Sequence, residues 1–179
     1  MERLIMKHET RNFTIKNVVL LSTANAQKPC NKSEEFKLYK IWVAAKKDIL
    51  RKVLDDAFRP NEIDNQDVFE FCEVTPATGK VQRALRLCEY DNPEDYVTFE
   101  IISWNKPFEC SKVKDFNDLQ MQEFTLTCYI GFKQVSIKDD EGNFKIDQRG
   151  QYLKKDAGCF NASNTFMIDD LDIDETFDE

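Results

Sequence analysis

The sequence predicts a mainly β protein: a curled antiparallel sheet or small barrel, one packed amphipathic helix, and an unstructured acidic end. Three observations predict it. Apolar residues alternate at period 2 along several segments, β-branched and aromatic residues fill those segments, and short polar turns part them. One stretch alone departs to a period near 3.6. The 179 residues suit a single domain with a real core, and fourteen Phe, five Tyr and two Trp supply bulk for it. Gly and Pro number five each, far from the composition of a disordered chain.

The elements follow in order. RNFTIKNVVLLSTA (11–24) is apolar and β-branched, alternating at Phe13 and Ile15 before the run Val18 to Leu21. A polar loop, NAQKPCNKSEE, leads to FKLYKIWVAA (36–45), which carries apolar groups on both faces and reads as a strand with at least one covered side. In KKDILRKVLDDAF (46–58) Ile49, Leu50, Val53, Leu54, Ala57 and Phe58 make one stripe at helical spacing, and Pro60 ends it. DVFEFCEVTPATGKVQRALRLCEY (67–90) has the form of a hairpin turning at Pro76–Gly79. After DNPED comes YVTFEIISWNKPF (96–108), with Val97, Phe99 and Ile101 alternating against Thr98, Glu100 and Ile102. The longest strand is EFTLTCYIGFKQVSIK (123–138), where Phe124, Leu126, Cys128, Ile130 and Phe132 face inward and Gly131 suggests a bulge or bend. DDEGN (139–143) signals a hairpin turn into FKIDQRGQYLKK, and no repeat is evident.

About seven strands and one helix joined by tight turns belong to the small-barrel class, with an oligonucleotide-binding (OB) type barrel as its leading member. The helix follows the second strand, which is not its place in the simplest five-stranded version. The expected division is a β-rich OB-like domain over 1–155, a small-residue linker over 156–168 beginning DAGCFNASN, and an acidic tail over 169–179.

Composition bounds the setting. No run of some eighteen apolar residues could span a bilayer, and the opening MERLIMKHETRNF lacks a secretory h-region. The six Cys contain no CxxC pair and several fall in strand-like runs, so they read as buried free thiols in a reducing, cytoplasmic compartment. The net charge is −8, but residues 169–179 carry seven acids and no base, which leaves −1 on residues 1–168. The body is near neutral, and the excess sits in the tail.

Catalytic signatures are absent. His8 is the one histidine, and it lies in a polar N-terminal stretch ill suited to a catalytic framework. Neither a nucleotide-binding glycine loop nor HExxH nor GxSxG occurs. The acidic groups Asp55–Asp56 and Asp139–Asp140–Glu141 show no ligand spacing, and DLDIDE lacks the central Gly of a calcium loop. The chain is therefore expected to be no enzyme, with no cofactor and no metal. A small metal-dependent nuclease would need those acidic groups to converge.

Binding chemistry remains. Lys37, Lys40, Lys46 and Lys47 surround Tyr39 and Trp42; Lys80, Arg83 and Arg86 share the second arm of the expected hairpin; Lys106, Lys112 and Lys114 follow Trp104. Single-stranded nucleic acid asks for this mixture, since cations track phosphates while flat side chains stack bases. Tyr39, Trp42 and Trp104 are the stacking candidates, and Lys40, Lys80, Arg83, Arg86 and Lys106 the phosphate contacts. Against them stands the ordinary reading, in which strand aromatics are core and outward Lys and Arg are solvated surface.

The end of the chain, NTFMIDDLDIDETFDE, sets Leu171, Ile173 and Phe177 among Asp169, Asp170, Asp172, Asp174 and Glu175. A near-neutral β body, a short linker and an acidic end with embedded hydrophobes resemble the organisation of the single-stranded-DNA-binding proteins of bacteria and their phages. The resemblance implies an OB body that holds the strand, and a tail that recruits replication or recombination proteins and competes with DNA for the groove. The tail departs from the bacterial pattern in ending Phe177–Asp178–Glu179 with no preceding Pro. Single-stranded DNA is then the expected partner, without membrane, with homo-oligomerisation left open; the alternative is a protein–protein interaction module, phage structural or host-inhibiting.

Overall fold

The computed structural model describes residues 12–58, 65–110 and 113–162, and within them six strands and three helices. In chain order these are β1 (Phe13–Ser22), β2 (Leu38–Lys46), α1 (Lys47–Phe58), α2 (Asn65–Phe71), β3 (Thr75–Pro76), α3 (Gly79–Leu87), β4 (Tyr96–Trp104), β5 (Glu123–Ser136) and β6 (Lys154–Ala162). Strand β1 pairs antiparallel with both β2 and β5, β2 with β4, and β5 with β6. Strand β6 then meets β4 in parallel, at Ile101↔Phe160 and Ile102↔Asn161, and closes the sheet. The circuit β1-β2-β4-β6-β5-β1 is a five-stranded barrel of OB type, with β3 added to β4 as a two-residue edge. The closing pair is parallel, where the sequence suggested antiparallel pairing throughout.

Period-2 alternation fills the barrel. Ile15, Ile41, Val43, Ile101, Leu126 and Phe160 point inward and are buried, and the rings of Phe99 and Phe160 meet at 4.9 Å. Helix α1 continues directly from β2 and lies against β1 and α2, burying Leu50 and Leu54 from its apolar stripe. Asp48 in its first turn complements the helix dipole. Among the described residues no helix is long and apolar enough to cross a membrane.

Strand β1 curls the sheet. Its register slips between Ile15 and Val18 against β5 and between Leu20 and Ser22 against β2, and Asn17 sits at φ 59° in the first slip. The bulge expected at Gly131 is not there: β5 runs in unbroken register with β6 from Cys128↔Ala162 to Ser136↔Lys154. Gly131 serves close approach instead, since a Cβ there would come within 2.9 Å of the Asn161 amide.

Two expectations are corrected. Residues 67–90 are not a hairpin; they form α2 and α3, with only β3 extended between them. Val68, Phe69 and Cys72 are buried at i, i+1, i+4, and Val81 and Leu85 lie four apart on the covered side of α3, so the helical period governs despite the β-prone residue types. Nor do residues 156–162 begin a linker: they belong to β6, where Cys159, Phe160, Asn161 and Ala162 are all buried. Small residues are required there by crowding. A Cβ on Gly158 would stand 2.5 Å from the Phe71 ring of α2 and 2.8 Å from the Cys72 sulfur. The acidic tail, His8 and Lys112 lie outside the described residues.

Candidate nucleic-acid interface

Residues that alternate with the core face outward, and on β2 and β4 they form a small grid. Strand β2 presents Leu38, Lys40 and Trp42, paired across the ladder with Trp104, Ile102 and Glu100 of β4. The two tryptophans occupy diagonal corners, 39% exposed at Trp42 and 47% at Trp104. Four residues of strand rise separate their rows, about 14 Å, so the indoles would meet different bases and not two faces of one.

Lys40 and Glu100 join the middle of the grid, Nζ to Oε2 at 3.2 Å. Glu100 is exposed and Lys40 partly so, and a surface ion pair of this kind is worth roughly 0–1 kcal/mol, weak enough for a phosphate to displace. Two clefts open beside the pair. One of about 250 Å³ runs from Ser22 and Asn25 to Lys40, and another of about 260 Å³ runs over Thr98 and Ile102 toward Cys159; Trp42 and Glu100 line both.

Much of the rest of this outer face is covered. Helix α3 lies over it at the other end, where Val19, Leu21, Ala44, Ala77, Leu85 and Tyr96 form a second buried cluster. That leaves the half bearing Lys40, Trp42, Glu100 and Trp104 open. Above Trp104 the chain turns through Asn105 at φ 64° and is tied to the start of β2: the Asn105 amide donates to the Lys37 carbonyl at 2.6 Å and the Lys37 amide to Asn105 Oδ1 at 2.8 Å. These bonds hold exposed Phe36, Lys37 and Lys106 beside the grid.

Of the residues named from sequence, Lys40, Trp42 and Trp104 share this face, and Lys106 stands on the loop that follows it. Tyr39 does not: it points into the barrel, 6% exposed, because it is one residue out of phase with Lys40 and Trp42. Lys80, Arg83 and Arg86 are exposed on the solvent side of α3, opposite Leu85, and not on a hairpin arm. Among the described residues, no group of three or more His, Cys, Asp or Glu side chains gathers as a metal site would require.

Three features escaped sequence reasoning. Glu100 figures in the sequence only as an alternating strand residue, and Phe36 only as the first residue of a strand with apolar groups on both faces; parity with Trp104 and Trp42 places Glu100. The third is the β5–β6 connection, which holds two turns of one design eight residues apart. Asp139 accepts from the amides of Glu141 and Asn143, each at 2.9 Å, and Asp147 from those of Arg149 and Gln151 at 2.8 and 3.0 Å. Gly142 and Gly150 take φ 87° and 81° within them. The sequence signal was the repeated spacing D-x-x-G-[N/Q]-[F/Y]. It sets Phe144 and Tyr152 edge to face at 5.3 Å, with Lys138 Nζ 5.2 Å from the Phe144 ring centre.

Fold and surface together define a class: a closed OB-type barrel with an open aromatic and basic outer face on its second and fourth strands. No protein-family model matches the chain, and no curated protein does. Among solved structures, gp2.5, a single-stranded DNA binding protein encoded by bacteriophage T7, aligns with a TM-score of 0.38 and 13% identity, over 92% of this chain and 94% of that one.

Proposed function

We propose that the chain is a non-catalytic single-stranded-DNA-binding protein whose strand crosses the outer face of β2 and β4. The observation that carries this reading is the exposure of both tryptophans of the chain on one face, with Lys40 between them and Lys37 and Lys106 at its border. Large aromatics on a strand surface are ordinarily covered; left half open beside lysines, they suit bases that stack and phosphates that pair. The near-neutral body permits such a ligand, which −8 over the whole chain would oppose. In this role the protein coats and protects the strand during replication or recombination in the cytoplasm, and residues 169–179 recruit partner proteins.

Titration with an oligonucleotide at low and moderate salt tests it. Since the chain has two Trp and both stand at the site, intrinsic emission reports binding directly. The expected result is quenching, an affinity that falls steeply with salt, and a loss of roughly 5- to 150-fold for each of Trp42→Ala and Trp104→Ala. Absence of both quenching and association at low salt overturns the reading.

A second reading, a protein–protein interaction module, is favoured by the exposed apolar group Phe144, Ile146, Tyr152 and Leu153 on the β5–β6 connection. The same titration separates the two.

A further inference from the structure

The acid at the centre of the basic face needs an explanation. Glu100 lies directly across the ladder from Trp42, lines both clefts that flank that indole, and keeps its carboxylate in solvent within 3.2 Å of Lys40. On a face that meets only phosphates, a carboxylate weakens binding by like-charge repulsion. Beside a stacking platform it can do something else. Side chains directly opposite in such a ladder have Cβ atoms about 5 Å apart, so a base lying on the Trp42 ring brings its edge within reach of Glu100.

An ionised carboxylate only accepts hydrogen bonds. Cytosine offers an exocyclic amino group, as adenine does, and guanine offers amino and imino donors together. Thymine shows a single imino N–H between two carbonyl oxygens that repel the carboxylate. Lys40 complements this arrangement: it offsets the charge of Glu100 in the free protein and turns to a phosphate in the complex.

Resting on the single-stranded-DNA reading above, we infer that Glu100 is a specificity-determining residue, which makes the Trp42 position prefer amino-bearing bases over thymine. The protein thus discriminates among strands by base composition, where a face of aromatics and lysines alone would be indifferent.

The test compares end-labelled oligo-dC and oligo-dT of equal length by fluorescence anisotropy at neutral pH, using the full chain and the variants Glu100→Gln and Glu100→Ala. The wild type is expected to bind dC at least about fivefold more tightly than dT, within the range for a good base-edge contact. Either variant should bring the ratio near one, chiefly by tightening dT as the repulsion is removed. Glu100 is exposed and the readout is a ratio, so a modest loss of stability leaves the comparison intact. Equal wild-type affinity for the two oligomers, or a dC preference that survives in both variants, overturns this inference while leaving single-stranded-DNA binding in place. Failure of the wild type to bind either oligomer at low salt overturns the binding reading and this inference with it.

Discussion

Tyr90 shows how burial of one group sets a pH limit on the protein. Its hydroxyl donates to the Met121 carbonyl at 2.8 Å, and its ring lies edge-on to Tyr96 with centroids 6.3 Å apart. Burial first, and then the negative charge of Glu123, push its pKa well above the ordinary 10.0; Tyr96 is raised by the same two causes in the same order. Between the unfolded and folded values the native state holds protons that the unfolded chain has released. The stability these phenols confer is therefore complete below about pH 10 and declines as pH rises beyond it. Urea midpoints followed into the alkaline range should fall past that point, and Tyr90→Phe should flatten the fall. At this scale the sequence was half legible. It names Trp42 and Trp104, both of which the structure leaves exposed, but groups buried Tyr39 with them, although a one-residue step along a strand sends a side chain to the opposite face.

Helices α2 and α3 end in the same way. The Val74 amide donates to the Phe69 carbonyl at 2.9 Å and Glu73 to Glu70 at 3.2 Å; the Tyr90 amide donates to Leu85 at 2.9 Å and Glu89 to Arg86 at 3.0 Å. Both are six-to-one, five-to-two closures of the Schellman type, yet the left-handed position is held by Glu, at φ 60° in Glu73 and 66° in Glu89. A side chain with a Cβ is strained there, and an acid at a helix C-terminus opposes the dipole. Glu89→Gly relieves both and should raise stability by up to about 1 kcal/mol, read as a higher urea midpoint at unchanged slope. The missing glycine also explains why these elements were misread. With no stop signal at 73 or 89, and with Val, Phe and Thr prominent, 67–90 looked like two strands about a turn. By contrast α1 was plain, because its stripe ran through three turns before Pro60.

The closed barrel decides which thiols react. Cys72, Cys128 and Cys159 are buried and Cys110 half-buried, while Cys30 and Cys88 are exposed; burial holds the Cys128 thiol well above its ordinary pKa, in its unreactive form. Labelling the native protein with a thiol reagent should modify Cys30 and Cys88 within the first phase. Cys128 should react only under unfolding conditions, as mass spectrometry of peptides would show. Read alone, the sequence determined the β-rich class, the principal strands, α1, and the separation of a near-neutral body from seven terminal acids, because period, composition and charge are properties of neighbours along the chain. Tertiary structure alone decided the rest. Residues 154–162 became a strand, buried over 158–162, since the barrel needed a partner between β4 and β5, and Gly158 fits there under Phe71. The site arose in the same way: Trp42, Glu100 and Trp104 are separated by up to 62 positions in the sequence and meet only because β2 and β4 pair in one register, while α3 covers much of the remainder of that face and leaves this part open.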